Sequence, residues 1–236
     1  MGCIGRDPDV EYWDASKIST LKLANGSTVS LNGDAIGNWN ASVGKRRLQR
    51  RTGAAFSGSF YNYINTTNWP AVRMNGYRTH DMTQSVFLFE QGETFFMAYR
   101  IPSMPASPYY GYTKLPGVTS TTAVNNGEFN SSGVNCTVYG TTAILTGNPG
   151  TYPYLSVYAV RILQNGPNVD IWAMGHSGVV VTRTITNFTW ISNRNALFRM
   201  YTNGADVHIY YIEINRDIRT TAQMKARRDV LYNRYV

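Results

Sequence analysis

Charge is sparse in this chain, and cysteine and histidine are almost missing. Fourteen acidic and 22 basic residues make up 15% of its 236 positions, against roughly 25% in an ordinary soluble domain. The two cysteines, Cys3 and Cys136, are too few for a disulfide framework and too far apart in sequence for a thiolate zinc cluster. Free thiols are the expectation. The histidines His80, His176 and His208 stand singly, without H-x-H or H-E-x-x-H spacing, so no metal site of that kind is predicted. Asp206, near Asn203, is too isolated to predict a calcium site. No apolar run reaches the ~18 residues of a membrane span. Residues 1–9 contain no apolar leader core, so neither membrane insertion nor export is expected.

What is abundant is tyrosine and glycine, 17 and 21 residues, among many Asn, Ser and Thr. That mixture favours strands joined by turns over helices. It also supplies the aromatic and β-branched residues that disordered chains lack. At this length folding removes roughly 70–75% of the extended-chain surface from water, enough for a core without covalent staples. The net charge of +8 predicts a surface that attracts polyanions, acidic glycans or acidic protein.

Hydrophobic alternation then predicts strand after strand. Short extended pieces at 20–23 and 28–31 flank Asn25-Gly26, a hairpin signal. Stretches 85–89 and 94–101 flank Gln91-Gly92. In the second, Phe95, Met97, Tyr99 and Ile101 alternate with Phe96, Ala98 and Arg100, so one face points inward and the apolar members of the other imply a partial cover. Further strands are predicted at 155–163, 169–174, 178–185, 196–201 and 207–214, a spacing typical of a sandwich. Pro102, Pro105, Pro108 and Pro116 mark 102–116 as a loop or edge cover. One helix is expected near 221–235. Thr220 and Gln223 have capping-box spacing, and Met224, Leu231 and Tyr235 recur at helical intervals. Its cations Lys225, Arg227, Arg228 and Arg234 are expected on a solvated face. No composition shift divides the chain, so 1–236 is read as one domain.

Several phrases, in order, carry a resemblance. They are Tyr12-Trp13-Asp14-Ala15-Ser16, Ser19-Thr20-Leu21, Val29, Asn38-Trp39-Asn40, Trp69-Pro70-Ala71-Val72-Arg73-Met74-Asn75-Gly76, and the closing 209–216 with its helix. Together they resemble concanavalin A-like, laminin-G-like jelly-roll domains, which often open on W-x-D-A-S and close on I-x-E-x-x-x-Y-x-R. Ala41 stands where those domains usually have Asp, and one residue is added before Gly44. The resemblance implies an all-β, two-sheet antiparallel jelly-roll sandwich with a short C-terminal helix. Such domains are frequent in phage virion proteins and bacterial surface proteins.

The same sandwich also supports glycoside hydrolases, which need two carboxylates about 5–10 Å apart. The five glutamates, Glu11, Glu90, Glu93, Glu128 and Glu213, form no E-x-D-x-x-E run. Neither a Gly-x-Ser-x-Gly elbow nor a phosphate-binding loop is present, so the expectation is no enzyme, no cofactor and no metal.

Two candidate binding features remain. Tyr109, Tyr110, Tyr112, Tyr152 and Tyr154 offer rigid contact area with hydroxyls, suited to a glycan or protein, or else they cap the sandwich edge. Lys45, Arg46, Arg47, Arg50 and Arg51 surround Leu48, either as a partner contact or as the solvated face of a strand. Nucleic acid is disfavoured because no aromatics interleave the cations. The expected role is a structural or adhesion component of a virion, a tailed-phage decoration, fibre or tail protein. It would sit among other virion proteins in repeated copies or a homo-oligomer, with a host-surface glycan as candidate ligand. A secreted or cell-surface carbohydrate-binding module is the alternative, and a glycoside hydrolase the third reading.

Overall fold

The computed structural model describes residues 10–44, 46–50, 59–61, 69–74, 77–83, 93–103, 111–115, 124–130, 133–138, 141–146, 153–175, 178–186, 199–203, 206–215 and 219–236. The strands in chain order begin with β1 (Val10–Asp14), β2 (Leu21–Lys22), β3 (Asn38–Asn40), β4 (Arg47–Arg50), β5 (Ser59–Tyr61), β6 (Ala71–Met74), β7 (Tyr77–Thr83) and β8 (Glu93–Ile101). They continue with β9 (Gly111–Leu115), β10 (Val124–Asn130), β11 (Gly133–Val138), β12 (Thr141–Thr146), β13 (Tyr154–Asn165), β14 (Asn168–Met174), β15 (Val180–Ile185), β16 (Arg199–Asn203) and β17 (Val207–Asn215). Helix α1 (Thr221–Tyr235) follows.

Among the described residues the strands form two antiparallel sheets, packed as a jelly-roll sandwich. The first has the order β15-β14-β13-β8-β17-β6-β5, with β1 also on β17. The second runs β12-β11-β10-β9-β16-β7-β4-β3-β2. β17 pairs with β8 on one side, while β6 and β1 share its other edge end to end. Trp13 on β1 and Trp39 on β3 are fully buried. The indole Nε1 of Trp13 donates to the Trp39 carbonyl at 3.1 Å and ties one layer to the other.

The central strands β8 and β17 read as continuous apolar runs because both their faces are covered. Every residue from Thr94 to Ile101 and from Val207 to Asn215 is buried. Phe96 and Ala98 of β8, Val157 and Ala159 of β13, and Trp172 and Met174 of β14 pack with Met224, Leu231 and Tyr235 of α1. The cover inferred for Phe96 and Ala98 is therefore the terminal helix. A register shift between Ile209 and Tyr211 inserts Tyr210 into β17. Such a bulge re-aims side chains. Here Tyr210 and Tyr211 both reach Tyr235, with ring centroids 5.8 and 5.9 Å apart.

The helix begins where the capping box places it. Thr220 Oγ1 accepts from Gln223 N at 3.2 Å, and Gln223 Oε1 accepts from Thr220 N at 2.8 Å. Its buried stripe is Met224, Arg228, Leu231 and Tyr235. Lys225 is exposed as expected, but the remaining cations are not simply solvated. Arg228 is buried, donates to the Gly175 carbonyl and lies 4.3 Å from the Tyr232 ring centroid. Arg234 pairs with Asp14 and stacks on Trp69, and Arg227 reaches Glu213.

Two further expectations change. Asn25-Gly26 does turn the chain, with Gly26 at φ 87° and a single bridge from Lys22 to Thr28. No full hairpin forms there, because β2 pairs with β3 instead. The stretch 102–116 is not loop throughout, since β9 lies inside the second sheet between β10 and β16. Its prolines fall at 102, 105, 108 and 116, so 111–115 keeps every backbone donor for the ladder. The predicted strand 85–89, its Gln91-Gly92 turn, Asn75-Gly76 and His176 lie outside the described residues.

Candidate functional site

The tyrosine candidates are distributed over both layers. Tyr154 opens β13 and pairs with Ile101, the last residue of β8. Tyr112 lies on β9 of the second sheet, opposite Tyr201 and Glu128. Tyr109, Tyr110 and Tyr152 lie outside the described residues. In sequence, Tyr109 and Tyr110 lie between the end of β8 and the start of β9, and Tyr152 just ahead of β13.

The basic run divides by strand alternation. Arg47 is exposed and Leu48 is fully buried, as a half-buried strand requires. Arg50 sits on β4 opposite His80. Arg46, expected on the solvated or partner-facing side, is instead 7% exposed and ion-paired through Nε to Glu11 on β1. Gly44, at φ 113°, leaves the space beside Glu11 that a Cβ would occupy. Lys45 and Arg51 lie outside the described residues.

Two polar clusters emerge that sequence patterns did not single out. The first lies under the N-terminal half of α1. Glu213, 1% exposed, accepts from Tyr211 Oη at 2.8 Å, Asn215 Nδ2 at 2.8 Å and Arg227 Nε at 2.9 Å. Arg227 Nη2 also donates to it. Arg219 Nη1 stands 3.7 Å from Glu213 and its Nη2 donates to Asn215 Oδ1. Burial would raise the Glu213 pKa, but the hydrogen bonds from Arg227 and Asn215 and the Arg227 charge hold it below the usual carboxylate value. The same burial, with the Glu213 charge, pushes the Tyr211 phenol up. This carboxylate is locked as an anion, the opposite of what a general acid needs.

The second cluster runs across one end of the first sheet. Arg73 on β6, His208 on β17 and Arg100 on β8 are direct cross-strand partners. Arg73 donates Nε and Nη2 to the two oxygens of Asp206, both at 2.8 Å. His208 Nε2 lies 3.3 Å from Asp206 Oδ1. Burial opposes the charge of Asp206, yet contact with His208 and Arg73 keeps its pKa below the ordinary value. A cation at Asp206 would have to displace a bidentate guanidinium. Among the described residues no group of three or more His, Cys, Asp or Glu could hold a metal ion. The readable signal for this cluster is Arg100 itself, a charge at the end of an otherwise apolar strand face.

No protein-family model matches the chain, and neither does any curated protein. Solved structures do match. The binding domain of botulinum neurotoxin serotype D aligns over 93% of this chain and 52% of its own, with TM-score 0.57 and 8% identity. A botulinum neurotoxin type C structure, for which cell entry is described as dependent upon interaction with two ganglioside molecules, aligns over 92% and 51%, with TM-score 0.53 and 13% identity. A seed lectin of Lotus tetragonolobus aligns over 70% and 94%, with TM-score 0.42 and 10% identity. The chain thus spans about half the length of the neurotoxin structures. At these identities the likeness is one of fold, a concanavalin A-like sandwich, and fold alone does not transfer activity.

Proposed function

We infer that this chain is a non-enzymatic, carbohydrate-binding module that serves as a structural and adhesion component of a virus particle, such as a tailed-phage decoration, fibre or tail protein. The observation that carries the reading is the sandwich frame shared with a neurotoxin binding domain over 93% of the chain. That frame recurs in the type C neurotoxin, described as using gangliosides for entry. The binding reading is supported by the state of two buried or half-buried carboxylates. Glu213 is held by Arg227, Asn215 and Tyr211, and Asp206 by Arg73 and His208. Neither is poised to share a proton with a glycosidic oxygen. The tyrosines at 109, 110, 112, 152 and 154 supply the expected sugar contacts.

The test is a glycan array probed with the purified chain, with the same sample assayed for release of reducing ends from polysaccharides. Saturable binding without turnover is expected. Turnover that vanishes in Glu213→Gln or Glu128→Gln would overturn the non-enzymatic reading. For the particle, an antibody to the chain should decorate intact virions at many copies. A chain found only free of particles would point to the cell-surface module instead.

A further inference from the structure

Three arginines gather near the N-terminal end of α1 around a single carboxylate, among the described residues. Arg227 takes that carboxylate, donating Nε and Nη2 to Glu213. Arg219 Nη1 stays 3.7 Å from it, beyond hydrogen-bond reach, and its Nη2 donates to the neutral Asn215 at 2.7 Å. Arg161 on β13 donates Nη1 to the backbone carbonyl of Arg219, another neutral acceptor. The remaining acids near this end are engaged elsewhere: Asp229 pairs with Arg228, and Asp170 accepts from Thr184. Asn215, Thr94 and Arg161 are direct cross-strand partners on β17, β8 and β13. In this row Thr94 is fully buried and its Oγ1 has no partner, nor has Arg161 Nε. The cluster is short of acceptors, which buried polar groups ordinarily find. The helix adds to the shortage, since its first turn has no acidic residue, where a carboxylate would be stabilising and a cation is not. Lys225, one turn further on, is exposed. The cluster faces water, with Arg219 21% and Arg227 32% exposed and Arg161 half-buried.

We propose that Arg219 and Arg161 form a docking surface for an acidic polysaccharide, whose carboxylate or sulfate groups supply the missing acceptors. The inference rests on the carbohydrate-binding reading above and names its ligand class. Crowding cations at the positive end of a helix breaks a local rule of stability, and such breaks mark functional sites. A guanidinium fork meets a planar anionic group in two parallel hydrogen bonds. The surroundings select among polyanions. The exposed large apolar residues of α1, Val230 and Val236, lie in its second half, so this end lacks the apolar centre of a protein interface. The rings beneath the arginines, Phe96 under Arg219 and Tyr211 under Arg227, are buried and offer no face on which a base could stack. What is exposed beside them is Thr220, Thr221 and Gln223, hydroxyl and amide groups suited to sugar hydroxyls.

The test is calorimetry of the whole chain with three probes at stepped salt: a galacturonic acid oligomer, the same oligomer with its carboxyls reduced to alcohols, and a sulfated oligomer of equal length. Wild type should bind at least one acidic oligomer, more weakly as salt rises, and the reduced one about tenfold less tightly or worse. The tighter of the two acidic oligomers identifies the anionic group. Arg219→Gln and Arg161→Gln should each weaken acidic binding about threefold to tenfold. Arg219→Lys and Arg161→Lys keep the charge and should recover most of it, which a merely structural role would not produce. Arg47→Gln, at an exposed site on the second sheet, should change little. An equal loss in Arg47→Gln would trace the binding to the net charge of +8 and overturn the surface. Glycan binding indifferent to the acidic groups and to both arginines would overturn it too, and leave the carbohydrate reading standing. Binding of no glycan at all would overturn both. A single-stranded oligonucleotide of matching charge held more tightly through the same arginines would overturn the polysaccharide assignment.

Discussion

Replacing Glu213 by Gln tests whether the network beneath α1 holds the helix to the sheet. The side chain is 1% exposed and accepts from Tyr211, Asn215 and Arg227. A glutamine has one acceptor oxygen in place of two, so its amide NH2 must face a donor, Asn215 Nδ2 or the Arg227 guanidinium. Breaking a buried ion pair from one side costs about 3–5 kcal/mol. Arg227 is 32% exposed, so water recovers part of its solvation and the expected cost falls to roughly 2–4 kcal/mol. In a chain of this size that lowers Tm by roughly 4–16 °C. Because the native pKa of Glu213 is depressed, its stabilisation is complete above the unfolded value and is lost as pH falls through the native one. The gap between wild type and Glu213→Gln should therefore be widest near neutrality and narrow below about pH 4.3. Thermal melts at stepped pH measure this directly. A variant melting within a degree of wild type at neutral pH would refute the reasoning. So would a gap that widens on acidification.

Other perturbations bear on the same frame. Leu231→Ala, at a site 1% exposed, should cost about 2–5 kcal/mol in denaturant unfolding, with the loss concentrated in the packing of α1. Thr220→Ala removes the side-chain half of the capping box and should cost about 0.5–2 kcal/mol, measurable as a smaller shift in the same melts. Gly37→Ala would set a Cβ 2.7 Å from the backbone N and Cα of Ala24. Backbone cannot yield as a side chain does, so a loss of at least about 1–3 kcal/mol is expected, read as lower soluble yield and lower Tm.

The sequence made legible whatever depends on local period. The apolar runs of β8 and β17, the Leu48 and Arg47 alternation, and the capping box with its Met224, Leu231 and Tyr235 stripe all appear where the pattern puts them. Pairing across long separations was not legible. Arg73 meets Asp206 over 133 residues and Arg234 meets Asp14 over 220, and periodicity carries no information about such partners. That is why the helix cations were expected in solvent, and why Arg46 was placed on a basic surface when Glu11 draws it inside. Strand β9 was concealed differently, by prolines that flank it and do not enter it. The tyrosine candidates were found by residue type alone, and composition cannot say that Tyr112 and Tyr154 belong to different sheets.

The helix also determines where a ligand could sit. Without α1, Phe96, Ala98, Trp172, Met174, Tyr210 and Tyr211 would share an uncovered face, an apolar patch of a size that soluble proteins seldom leave open. Closing that face removes it as a binding platform. The polar groups that fix the helix, Glu213 with Arg227 and Asp14 with Arg234, are consumed by the closure. A ligand must then use the ends of the strands or the second sheet.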